Sequence, residues 1–134
     1  MSHGGFDTHS AQLNQHATLL TTLGEAVGAF LQDIDRQGRA QDVLVMTFSE
    51  FGRRISENAS RGTDHGAAAP LFLLGRPVAG GLTGPAPTLA DDPTADVPFA
   101  IDFRRVYASV IREWLGADPV PVVGEGFAPL GILK

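Results

Sequence analysis

Asp42-Val43-Leu44-Val45-Met46-Thr47-Phe48 is the stretch on which the reading of the fold turns. It is largely apolar, without alternation, and carries the β-branched Val43 and Val45. A strand of this kind is covered on both faces, as in a parallel sheet. Polar residues and Gly52 follow, which places Glu50 just past the strand's carboxyl end. In open α/β sheets ligands bind in the crevice at that end.

Upstream, Leu13, Leu19, Leu20, Leu23, Val27, Phe30, Leu31 and Ile34 recur at three- and four-residue steps, which predicts a helix over residues 10–37. Gly38 is placed to stop it. Gly24 and Gly28 weaken such a helix by about 1 kcal/mol each and suit close packing on a sheet. His16 falls on the apolar side and reads as a partly buried core histidine. Downstream, residues 53–66 are polar and read as a loop, and Pro70-Leu71-Phe72-Leu73-Leu74 reads as a second short strand. Residues 75–101, rich in proline and glycine, are expected to be irregular, with at most a brief hairpin. Asp102 is a cap type for a second helix running to about Leu115, with Gly116 ending it. Val122-Val123 suits an edge strand. The expected fold class is therefore α/β: a partial, mostly parallel sheet flanked by helices, in one partial domain over 1–134. So few strands leave an apolar edge open, so the isolated chain is expected to be poorly soluble.

Composition narrows function. Of 134 residues 43% are hydrophobic, enough for a packed core. The formal net charge of -5 disfavours nucleic acid as a partner, although a few arginines can still make a local anion site. With no cysteine, a metal would have to use His, Asp or Glu. No apolar run approaches the length of a membrane span, and the N-terminus has no signal-peptide pattern.

Three clusters carry chemistry. Gly4-Gly5-Phe6-Asp7-Thr8-His9 sets an acid and an imidazole ahead of the long helix. Ser49-Glu50-Phe51-Gly52-Arg53-Arg54 follows the strand, and Gly62-Thr63-Asp64-His65-Gly66 precedes the second one. Each has a plainer reading: Asp7 as a helix cap, Glu50 paired with Arg53 or Arg54, and Asp64 in an Asx-turn. Taken together they predict a shared cation, with Asp7, His9, Glu50, Asp64 and His65 as candidate ligands. Carboxylate plus imidazole suits Zn²⁺, Mn²⁺ or Fe²⁺, and carboxylates alone suit Ca²⁺ or Mg²⁺. Arg53 and Arg54 are candidates to hold a phosphate or sulfate group. Thr8, Thr47, Ser49 and Thr63 are nucleophile candidates by position only, with no neighbour in sequence to activate them.

The same residues carry a resemblance. The run at 4–9, Gln12, His16, Thr-Phe-Ser-Glu-Phe-Gly-Arg-Arg at 47–54, Glu57-Asn58, Gly-Thr-Asp-His-Gly at 62–66, Asp102-Phe103-Arg104, Tyr107 and Trp114-Leu115-Gly116 closely resemble the bacterial family catalogued as domain of unknown function 1501. The likeness spans essentially the whole chain and covers only the C-terminal part of the family pattern. That family looks like a member of the alkaline phosphatase and sulfatase superfamily. The resemblance implies a mostly parallel sheet, a divalent metal (Zn, Mn or Ca) at the strand ends and hydrolysis of phosphate or sulfate esters. It also implies a nucleophile on an N-terminal segment that nothing here matches, so the chain is expected to be a fragment. Two matters stay open: whether His9 or His16 is the ligand, and whether Glu50 or Asp64 is the acidic one, with Phe51 where a second histidine is expected. The alternative is a non-catalytic secreted or envelope-associated component with a degenerate site. An exported, periplasmic location is implied by the resemblance alone.

Overall fold

The computed structural model describes residues 1–88, 92 and 95–134. Its longest element is helix α1, Gln12–Arg36, which matches the predicted span closely. The helix ends as the sequence indicates: Arg39 N–H donates to the Ile34 carbonyl, and Gly38 takes a left-handed φ of 70°. Its start differs from expectation. Asp7 does not cap it. Ala11, at φ 45°, occupies the cap position without a side-chain bond. The Ser60 and Arg61 carbonyls accept from Ala11 and Gln12 N–H instead, so a distant loop closes the first turn. Gly24 and Gly28 face open space rather than a sheet.

The parallel sheet expected from residues 42–48 does not form, and the alkaline phosphatase-like α/β architecture that the resemblance implies is not found. Among the described residues the strands are β1 Val45–Met46, β2 Gly52–Arg53, β3 His65–Gly66 and β4 Leu73–Leu74. They make two separate two-stranded antiparallel sheets. In one, Val45 stands opposite Leu74 and Met46 opposite Leu73. In the other, Gly52 stands opposite Gly66 and Arg53 opposite His65. The reason lies in the connection. Parallel pairing needs a long crossover, usually a helix. Residues 54–72, broken by Gly62, Gly66 and Pro70, supply none, and the chain returns antiparallel. Val43 through Thr47 are therefore half-buried, not covered on both faces.

The C-terminal part is a small knot of helix and tail. Helix α2, Phe103–Ser109, begins at Asp102, whose side chain accepts from Arg104 N–H as the sequence predicts. It passes into a π-helical turn, Val110–Trp114. Val122-Val123, expected as an edge strand, lies in one helical turn, α3, Val120–Val123. Among the described residues the buried hydrophobic core is Val106 and Ala108. Leu13 is 83% and Phe48 77% exposed. The accessible surface is 9151 Å², against about 6,700 Å² for a typical folded monomer of this mass. The apolar stripe of α1 is thus only half covered. Among the described residues no helix is long and apolar enough to cross a membrane.

Candidate metal centre

Glycine positions the loops. β2 runs so close to β3 and the residues just after it that a Cβ on Gly52 would lie 1.8 Å from the Ala68 carbonyl oxygen, and one on Gly66 would lie 2.6 Å from the Arg53 carbonyl carbon. A Cβ on Gly62 would lie 2.3 Å from the His9 carbonyl carbon. None of the three has a left-handed φ, so glycine is required there for space rather than for backbone angle. Arg53 ties the same loops: its guanidinium donates to the Thr63 and Phe6 carbonyls. Gln12 completes the frame, donating to Thr8 Oγ1 at 3.0 Å and accepting from Thr63 Oγ1 at 3.0 Å.

On this frame Asp7, His9 and His65 meet. Asp7 Oδ1 lies 2.9 Å from His9 Nε2 and 2.8 Å from His65 Nε2. The two imidazole nitrogens are 3.1 Å apart. Thr8, between the first two ligand candidates, turns inward and is 3% exposed. Asp7 and His9 thereby share the outer face. The Asp7 carboxyl is held below its ordinary range, first by its hydrogen bond to His65 and then by the charge of both imidazoles. Solvent reaches the cluster: the Asp7 side chain is 66% exposed and each histidine 45%.

The donor chemistry fits a divalent cation. One carboxylate oxygen and two imidazole nitrogens make a triangle slightly tighter than the roughly 3.4 Å edge of a tetrahedral site with bonds of ~2.1 Å. Three protein donors with an open side are the pattern of catalytic rather than structural zinc sites.

The other candidates fall around this triangle. Asp64 stands behind it, with Oδ1 3.4 Å from His9 Nδ1. Asn58 and then His9 hold the Asp64 carboxyl below its ordinary range. Glu50 is exposed and has no hydrogen bond or ion pair among the described residues. His16 lies apart, against the edge of Phe6, with Nδ1 buried and unpartnered. Phe51 stacks on the His65 ring at 3.8 Å, and Arg53 lies over the Phe51 ring at 5.0 Å. Arg54 pairs with Asp96 at 3.9 Å. Sequence reasoning gave no role to Asn58 or Gln12. Asn58, four residues ahead of Gly62, is a turn-forming type at a turn-forming distance, which was the available signal.

The candidate nucleophiles are engaged elsewhere. Thr8 lies against Phe6 and Gln12, Thr63 donates to Gln12, and Ser49 donates to the Phe51 carbonyl at 2.7 Å. Thr47 Oγ1 accepts from Phe72 N–H at 3.0 Å. Among the described residues none of them hydrogen-bonds to a histidine or carboxylate side chain.

Glycine-braced loops that gather Asp7, His9 and His65 define the chain as a candidate metal-binding domain. By sequence it belongs to the family described as Protein of unknown function (DUF1501), whose model matches residues 1–123. No curated protein and no solved structure matches the chain significantly.

Proposed function

We propose that this chain contributes the metal centre of a divalent-metal-dependent hydrolase acting on phosphate or sulfate esters. The observation that carries the reading is the convergence of Asp7, His9 and His65 within 3.1 Å of one another. A divalent ion held there would lower the pKa of a bound water and polarise an ester oxygen. Asp7 would contribute the negative donor, and the two Nε2 atoms the neutral ones. The open side leaves room for a substrate. Resemblance to the alkaline phosphatase and sulfatase superfamily supplies the substrate class. The engaged hydroxyls point to water, or a group outside the three loops, as the attacking species.

A second reading is favoured by Phe51 and Arg53. Phe51 occupies the place beside His65 where a further donor would stand, and Arg53 is committed to backbone carbonyls. A binding or structural component that holds a metal without turnover fits those two features.

Metal analysis separates the readings. The chain loaded with Zn²⁺ or Mn²⁺ is expected to retain about one ion, and the Asp7→Ala, His65→Ala double variant none. Turnover of aryl phosphate or aryl sulfate esters by the loaded chain supports the hydrolase. Bound metal without turnover supports the second reading, and no retained metal under any loading sinks the hydrolase and leaves a non-catalytic component with a degenerate site.

A further inference from the structure

Asp64 lies beside His65 in sequence, yet its carboxylate turns toward the far nitrogen of another histidine. Its Oδ1 is 3.4 Å from His9 Nδ1, while His9 Nε2 faces Asp7 and His65. Asn58 sets this geometry. Its side-chain nitrogen donates to Asp64 Oδ1 and to the His9 carbonyl, both at 3.1 Å. The orientation of that amide is fixed, because its oxygen accepts from Ser60 N–H at 3.0 Å and Gly62 N–H at 3.1 Å. One side chain therefore grips both the backbone of His9 and the group behind its ring.

We propose that Asp64, aimed by Asn58, is a positioning residue that holds His9 as its Nδ1–H tautomer and turns the Nε2 lone pair into the Asp7–His65 triangle. This rests on the metal-site reading. A carboxylate can only accept, so the hydrogen between Asp64 and His9 sits on Nδ1. In neutral His9 the Nε2 atom is then a bare acceptor, and it faces Asp7 Oδ1, another acceptor, at 2.9 Å. Two acceptors at that distance are reconciled by a positive charge between them, a metal ion or the second proton of a doubly protonated His9 ring. A carboxylate behind a ligating imidazole orients the ring and raises its basicity. Asp64 thus acts behind the centre, and the ion is held from the front by Asp7, His9 and His65.

The test uses Asp64→Asn, with Asp64→Ala as the second variant. The Asp64 side chain is exposed, so neither substitution opens a core. Metal-free protein, observed by imidazole ¹⁵N shifts above the histidine titration, is expected to show His9 protonated at Nδ1. Both variants are expected to move the proton to Nε2. Zn²⁺ affinity, measured by chelator competition, is expected to fall about 10- to 100-fold. The Co²⁺ visible spectrum should keep its band shape, because the donor set is unchanged. An unchanged tautomer in both variants overturns the proposal. So does a new Co²⁺ band shape, which would make Asp64 a direct donor. If the unmodified chain takes up no Zn²⁺ while the tautomer still shifts, the metal reading falls and the positioning role stands.

Discussion

Around Asp7, His9 and His65 the buried groups are Thr8, Gly52 and Gly62, whereas around α2 they are Val106, Ala108 and Ser109. The first region is braced by backbone against backbone, by arginine on carbonyls and by amide side chains. Apolar packing and a polar clasp on the tail hold the second. Hydrophobic burial is tolerant of small adjustments in shape, while backbone contact at a glycine is not. The loops of the candidate centre should therefore respond sharply to added volume and little to lost apolar area. The C-terminal knot should respond mainly to loss of its polar anchors.

The largest effect is expected at Gly52. In Gly52→Ala the new methyl meets the Ala68 carbonyl group, with its oxygen at 1.8 Å and its carbon at 2.3 Å, and neither atom belongs to a flexible side chain. Either β2 separates from β3 or the Ala68 segment moves, and His65 moves with it. The expected loss is about 3 kcal/mol, the upper end for overpacking. Urea denaturation measures it, and the His9 and His65 ring shifts report on the centre. An unchanged midpoint would break the contrast, because the loops would then be as tolerant as a core.

Next comes the anchor of the tail. Glu113, on the π-helical turn, accepts from Gly131 N–H at 2.9 Å through Oε1, and from Ile132 and Leu133 N–H at 3.1 and 3.0 Å through Oε2. Ser109 adds a bond at 2.7 Å from Leu130 N–H. Glu113→Gln keeps one oxygen but sets an N–H₂ group against donors. A loss of about 2 kcal/mol is expected, with amide exchange accelerated at 131–133 and unchanged at 52–66. Acceleration in both segments would show that the two regions are one cooperative unit.

What the sequence made legible follows the same division. The long helix was readable because its apolar period is local, and so was its glycine stop. The three clusters were readable because each sets ligand-type side chains among glycines, and two of them pair an acid with a histidine. The sheet was not: an apolar run such as Val43–Met46 reports a preference for burial, and says nothing of which neighbours exist to provide it. Strand direction was decided by the connection through 54–72. The start of α1 was also hidden, since the carbonyls that close it belong to Ser60 and Arg61. Asn58 was given no role because its importance lies in four side-chain hydrogen bonds, one of them to the distant backbone of His9. Asp7 looked equally like a cap or a ligand, and the fold removes the first of those roles.

The smallest effect sharpens the comparison by pH. Asp102 accepts from Arg104 N–H at 2.9 Å and from the Arg104 guanidinium at 2.9 and 2.6 Å. The Arg104 side chain, and then its backbone N–H, bring the Asp102 pKa down from 3.8 to about 2. The folded value lies below the unfolded one, so the contribution is fully present above about pH 4. It is lost as pH falls toward 2. Solvent reaches this pair, so the change is expected to be small: a modest fall in α2 helicity and a shift of the Arg104 amide resonance across that window. Asn is as good a cap as Asp but does not titrate. Asp102→Asn should therefore keep the helix and abolish the Arg104 response. The same titration in that variant would mean that another acid governs the start of α2, and the cap would have to be assigned elsewhere.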